Sequence, residues 1–189
     1  MPLLQQHVPW EGFGERAALL LTDRRPGLEN VISQPERLRL IVRGKRVAYT
    51  PDYELAFSGC RSEVWEIKGY RQLQDLRTQE KLAAAELELA KTSRIFRVFD
   101  SSELSSRTEL RNAQVLRRYG RYPVTDEQIF SIRTPFRSLS KISLAALVQA
   151  ASDYGITREQ IYALLYRGVL AFDWSSFISD ETLVSEGWL

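Results

Sequence analysis

Asp52, Glu66 and Lys68 are residues whose types and spacing could do chemistry. Glu66 and Lys68 stand two apart in the β-prone run Val64-Trp65-Glu66-Ile67-Lys68, so on a strand they share one face while Trp65 and Ile67 take the other. Tyr49-Thr50-Pro51-Asp52-Tyr53 opens an earlier β-prone run, and Ser58-Gly59-Cys60-Arg61-Ser62 reads as the hairpin turn between the two. Such a hairpin brings Asp52, at the start of its first strand, close to Glu66 near the end of its second. Two carboxylates at one spot repel unless a cation sits between them, and hard oxygen ligands suit Mg²⁺ or Mn²⁺. With Lys68 alongside to hold a water or a phosphate, the set has what phosphodiester hydrolysis needs, since the metal activates water and neutralises charge at phosphorus. The same residues also fit an ordinary surface hairpin with scattered charges, because Trp65 and Ile67 need only a core to face.

Composition narrows the alternatives. The chain has 189 residues, 44% hydrophobic and 26% charged, as in an ordinary globular protein, and can bury one good core or one medium and one small. The second arrangement is expected. A net charge of +2 gives no overall basic character, so any nucleic-acid surface must come from local clustering. Cys60 is the single cysteine, which excludes an internal disulfide and a cysteine-based zinc site. His7 is the single histidine, so serine or cysteine triads and His-ligated zinc would all rest on it, and carboxylate-bound metal is the better candidate. No apolar run has the length of a membrane span and the first residues lack the order of a signal peptide, so a cytoplasmic protein is expected.

The elements that must position the site follow from periodicity. Residues 14–23 have helical propensity, with Ala18, Leu19 and Leu21 or Thr22 on a buried side, and Arg24-Arg25-Pro26-Gly27 stops the helix. Glu15 in its first turn suits the helix dipole; the functional alternative makes it a third metal-side carboxylate. Strands are expected over 28–32, 37–42 and 46–49, with a turn at Arg43-Gly44-Lys45. In the second of these, Leu38, Leu40 and Val42 face a core while Arg37 and Arg39 lie on a largely basic face that suits a phosphate backbone or plain solvent.

A helix over 74–92, with Leu76, Leu82, Ala83, Leu87 and Ala90 recurring at three- and four-residue steps, leads to a strand over 94–99 that buries Ile95, Val98 and the aromatics. Strand, helix, strand places that last strand parallel to the strand of Glu66. The stretch 107–141 is rich in arginine, including Arg117, Arg118 and Arg121, and reads either as a DNA contact or as a basic linker packed on an acidic partner. Beyond it, helices over 143–154 and 158–167 joined by Gly155-Ile156-Thr157, with Thr157 as N-cap, read as helix-turn-helix, and 169–173 and 183–184 as the strands of a wing. The second helix exposes few charges, so protein docking competes with base readout. The expected division is 1–122, a linker over 123–139, and a small domain over 140–189.

Pro51-Asp52 followed by Glu66-Ile67-Lys68 resembles the PD-(D/E)xK nuclease superfamily. Taken with Glu15, Gln34-Pro35, Gly44-Lys45, Tyr49-Thr50-Pro51-Asp52-Tyr53 and the helix 79–91, the sequence from about residue 13 to about 122 resembles the nuclease domain of the TnsA transposon-end endonucleases. A weaker similarity runs through Leu164-Leu165-Tyr166-Arg167-Gly168-Val169-Leu170 into that family's winged-helix region. The resemblance implies an α/β fold, a restriction-endonuclease-like mixed sheet flanked by helices, with a small winged-helix-like C-terminal domain. It implies Glu15, Asp52 and Glu66 as metal-side acids and Lys68 as the catalytic lysine, with Mg²⁺ as cofactor and Mn²⁺ able to substitute. The implied activity is cutting of the 5′ strand of double-stranded DNA at each transposon end. The implied partners are a DDE-type transposase that makes the 3′ cut and an AAA+ regulator ATPase. A stand-alone PD-(D/E)xK nuclease of restriction, repair or defence, and a non-catalytic DNA or protein adaptor, are the alternatives.

Overall fold

Helix α1 (Phe13–Thr22) forms over a run of Ala and Leu, which lose little side-chain freedom in a helix. The computed structural model describes residues 4–187. Five strands follow α1: β1 (Leu28–Ser33), β2 (Leu38–Val42), β3 (Lys45–Tyr49), β4 (Tyr53–Phe57) and β5 (Glu63–Lys68), close to their expected spans. The short helix α2 (Tyr70–Leu73) precedes α3 (Leu76–Ala90), the helix expected over 74–92, and β6 (Ile95–Asp100) and α4 (Ser101–Ser106) follow. Asp75 separates the two as the N-cap of α3, its carboxylate accepting from the Thr78 N–H at 2.9 Å.

The strands make a four-stranded mixed sheet in the order β1-β4-β5-β6 and a separate β2-β3 hairpin. In the sheet β4 and β5 are antiparallel with Tyr53 opposite Trp65, and β5 and β6 are parallel with Glu66 opposite Val98, as strand-helix-strand order requires. The β2-β3 hairpin turns on Arg43 and Gly44, both at positive φ, the hand that matches strand twist and that glycine reaches without cost.

A core of Leu38, Leu40, Tyr49, Val64, Leu82, Ala85 and Leu89 lies between this hairpin, β5 and α3. The buried stripe of α3 is therefore Leu82, Ala85 and Leu89; of the residues expected there, Leu76, Ala83, Leu87 and Ala90 are exposed. Leucines stand on more than one side of this helix, and packing on the sheet selects which stripe is covered. Ile95 and Val98 also differ from expectation, both 38% exposed, because β6 is an edge strand. Its inward residues are Phe96, packed on the core, and Phe99, whose ring is 4.6 Å from that of Trp65. Trp10 is about half exposed.

Two compact units divide between Ser106 and Arg107. The division lies upstream of the expected boundary at 122, and the stretch 123–139 is not a free linker. Residues 107–137 fold as α5 (Thr108–Leu116), α6 (Asp126–Ile132) and two short 3-10 turns, Arg117–Tyr119 and Thr134–Arg137. The rest of this unit is β7 (Ile142–Ser143), α7 (Leu144–Ser152), α8 (Arg158–Arg167), β8 (Leu170–Phe172) and β9 (Leu183–Glu186), with an antiparallel sheet in the order β7-β9-β8. Arginine and tyrosine hold the bridge to α8: Arg167 donates to the Gly120 and Tyr122 carbonyls, and the Tyr119 and Tyr162 rings meet edge-on at 5.2 Å. Thr157 caps α8 in a capping box with Gln160, as its position predicts.

The protein is a mixed α/β fold with several sheets flanked by helices. Among the described residues no helix is long and apolar enough to cross a membrane.

Candidate active site

Pro51 and Asp52 lie where the chain leaves β3 and enters β4, and the backbone there explains why the acid meets β5. The Asp52 N–H donates to the Trp65 carbonyl at 3.1 Å, extending the β4-β5 ladder by one bond. Beyond that point the chain turns away at Pro51, and the Asp52 carboxylate takes over as acceptor: its Oδ2 receives the Ile67 N–H at 2.7 Å. A short side chain thus replaces a missing strand partner and is held one residue from Glu66.

Glu66 and Lys68 share a strand face, as their spacing predicts, but that face is covered rather than open. The β2-β3 hairpin and α3 pack over it, leaving Glu66 2% exposed. A buried carboxylate requires partners, and Glu66 has one for each oxygen. Lys68 Nζ forms an ion pair with its Oε1, and the Tyr49 hydroxyl donates to its Oε2 at 2.6 Å. Lys68 points inward to this acid and remains half-buried.

Glu15 comes from α1, which approaches β5 closely because position 14 carries no side chain. A Cβ on Gly14 would stand 2.4 Å from the Ser101 Cβ and 3.0 Å from the Ile67 Cγ2. Glu15 Oε2 accepts from the Tyr53 hydroxyl at 3.1 Å and from the Glu11 N–H at 2.9 Å. The second bond is a helix-start role, and the first ties the acid to β4.

These groups feel one another. Asp52 is pushed up from 3.8 to about 6, first by burial and then by the Glu66 charge, with the Ile67 N–H and Lys68 pulling the other way and Glu15 adding to the rise. Burial by itself would lower the Lys68 ammonium, yet its hydrogen bond to Glu66 and the charges of Glu66, Asp52 and Glu15 leave it raised. Lys68 therefore keeps its proton at neutral pH. The Tyr49 and Tyr53 hydroxyls are both raised, by burial and then by the neighbouring Glu66 and Glu15 respectively.

The donor chemistry fits a hard divalent cation: oxygens only, with two adjacent acids whose repulsion a cation would relieve. Asp52 and Glu66 form that pair. Among the described residues, however, no group of three or more His, Cys, Asp or Glu side chains is gathered so as to hold a metal ion. Of the three acids expected to share a metal, Glu15 has its Oε2 engaged by the Tyr53 hydroxyl and the Glu11 N–H, while its charge still acts on Asp52 and Lys68.

Of the basic residues singled out, Arg37 and Arg39 are exposed, Arg39 on the side of β2 opposite Leu38 and Leu40. They are not drawn into the acidic cluster. Arg117, Arg118 and Arg121 are exposed in the second unit. Sequence reasoning missed Tyr49 and Tyr53, which hold Glu66 and Glu15. The signal was present in Tyr49-Thr50-Pro51-Asp52-Tyr53, because a tyrosine entering a core brings a hydroxyl that must find a partner.

No protein-family model matches the chain, and comparison with curated proteins yields no match.

Proposed function

We propose that the protein is a metal-dependent DNA endonuclease of the TnsA type, the subunit of a heteromeric transposase that cuts the 5′ ends of a transposon. The observation that carries this reading is the pairing of Asp52 with a fully partnered, buried Glu66 beside the Lys68 ammonium. A structural ion pair needs no second, partly buried acid at its side, and the charge of that acid is disfavoured there without a cation.

Asp52 and Glu66 would hold Mg²⁺ or Mn²⁺, with Glu15 as the third acid once it leaves Glu11 and Tyr53. The ion, when bound, supplies an activated water and offsets charge on the phosphoryl oxygens. Lys68 keeps its charge at neutral pH and holds a water or a phosphate oxygen against the carboxylates. Tyr49 and the Ile67 N–H keep the two acids from rotating. The restriction-endonuclease-like assignment of the first unit is supported by its strand order and by the parallel β5-β6 pair around α3. In the second unit, the sequence of elements β7, α7, α8, β8, β9 supports a winged-helix-like module.

One observation favours protein docking over base readout in that module. On α8, Ile161, Ala163, Leu164, Leu165 and Tyr166 are buried, Arg158 pairs with Asp180, and Arg167 is bound to backbone carbonyls. The AAA+ regulator or the DDE-type transposase is the fitting partner.

The test is strand nicking of transposon-end duplexes in Mg²⁺ or Mn²⁺, with the partner DDE-type transposase added. Lys68→Ala and Asp52→Ala should each abolish the 5′ cut while the chain stays folded. Intact activity in both variants would leave only the adaptor reading. Efficient cutting of arbitrary duplex by the lone chain would point instead to a stand-alone nuclease.

A further inference from the structure

We infer that Tyr49 is a positioning residue of this site: its hydroxyl fixes the Glu66 carboxylate in the orientation in which Glu66 and Asp52 take a divalent cation. The inference rests on the metal-dependent reading above and extends it to a residue outside the acidic set. Tyr49 ends β3, with Leu38 opposite it, and is 4% exposed in the core that packs over Glu66. Its ring is held on two sides. The Phe96 ring meets it edge-on at 6.5 Å, and the Lys81 ammonium of α3 lies 5.0 Å from its centroid.

A ring so fixed has one direction in which to aim its oxygen, and that direction is Glu66 Oε2 at 2.6 Å. Packing alone would be served by phenylalanine, so the hydroxyl is accounted for by the carboxylate. Lys68 engages the other oxygen, Oε1. Glu66 is thereby clamped from both ends while the neighbouring Asp52 is clamped by the Ile67 N–H. Groups that orient a metal's carboxylate ligands typically govern affinity by about 10- to 100-fold, although they never touch the ion.

The experiment is Mn²⁺ binding to the full chain by electron paramagnetic resonance, comparing the native protein with Tyr49→Phe and Asp52→Ala. Tyr49→Phe should bind Mn²⁺ at least about 10-fold more weakly, with circular dichroism unchanged. Native affinity in Tyr49→Phe, while Asp52→Ala abolishes binding, would overturn the role of Tyr49 and leave the metal site standing. Absence of Mn²⁺ binding in the native chain, or binding indifferent to Asp52→Ala, would overturn the site and the role of Tyr49 with it. If Tyr49→Phe does not fold in plain buffer, it and the native chain are compared in trimethylamine N-oxide, which favours the folded state, and equal Mn²⁺ affinity of the two there counts against Tyr49.

Discussion

At Asp52, burial and the Glu66 charge hold the carboxyl near 6 against an ordinary 3.8. The folded chain therefore binds this proton more tightly than the unfolded chain does. Stability gained from Asp52 is present below about 3.8 and is lost as pH rises through about 6, so at neutral pH its charge is a burden. Asp52→Asn should raise the thermal midpoint of the metal-free protein at pH 7.5 and leave it nearly unchanged at pH 3.5. Calorimetry at the two pH values checks this, and an equal effect at both would mean that the acid is not held up by its surroundings. At the proposed metal site the same proton competes with the cation. Stabilisation by saturating Mn²⁺ should accordingly grow between pH 5 and pH 7, then level off. Glu63 shows the opposite sign. It is buried, accepts from both Arg25 terminal nitrogens at 2.7 and 3.0 Å and from the Trp65 indole at 2.8 Å, and is held at about 2. Burial alone would raise it; the Arg25 hydrogen bonds and the other partners outweigh that. Its contribution is complete above 4.5 and lost as pH falls toward about 2. Glu63→Gln should cost about 1–3 kcal/mol at pH 7 in denaturant titration, and much less at pH 2.5.

Helices and strands were legible in the sequence wherever local chemistry decides them. The alternation that put Glu66 and Lys68 on one face, the Arg43-Gly44 turn and the Thr157 cap all depend on neighbours within a few residues. The stripe of α3 that is buried and the covered face of β5 depend instead on what packs across them. No local rule tells Leu87 from Leu89, or says that β2 and β3 will close over Glu66. For the same reason the stretch 123–139 read as a linker, since its contacts with α8 join residues more than thirty positions apart, such as Pro123 and Gln160. Glu15 was legible as an acid in a first turn, but its distance from the acidic pair is set by how closely α1 can approach β5. That approach depends on Gly14. Gly14→Ala brings a methyl to 2.4 Å from the Ser101 Cβ, and α1 must move away from α4 and β5. The change should destabilise by about 1–3 kcal/mol in denaturant titration, despite the better helix propensity of alanine. A variant as stable as the native chain would mean that α1 has slack here and that Glu15 is not held by this packing.

Across the whole molecule, charge is distributed so that a net +2 conceals local basic surfaces in each unit. In the first unit Arg39 is displayed on the solvent side of β2, while Arg43 is occupied by Glu80, with its Nε 2.7 Å from a carboxylate oxygen. In the second, Arg117 and Arg118 are exposed on a 3-10 turn, whereas the arginines of α8 are engaged within the unit by Asp180 and by backbone carbonyls. A helix whose cations are already bound makes a poor reader of a major groove, and exposed cations on a turn suit phosphates without regard to sequence. On the proposed DNA-binding role, replacing Arg117 and Arg118 by alanine should therefore weaken duplex binding to all sequences alike. The slope of log affinity against log salt should fall by about 1 for each phosphate that an arginine no longer neutralises. Arg158→Ala should leave that slope unchanged, because its partner is Asp180. Fluorescence anisotropy on a transposon-end duplex and a scrambled one, across a salt series, separates the cases. A drop in affinity confined to the end sequence in Arg158→Ala would assign base readout to α8, and the docking role of the second unit would have to be abandoned.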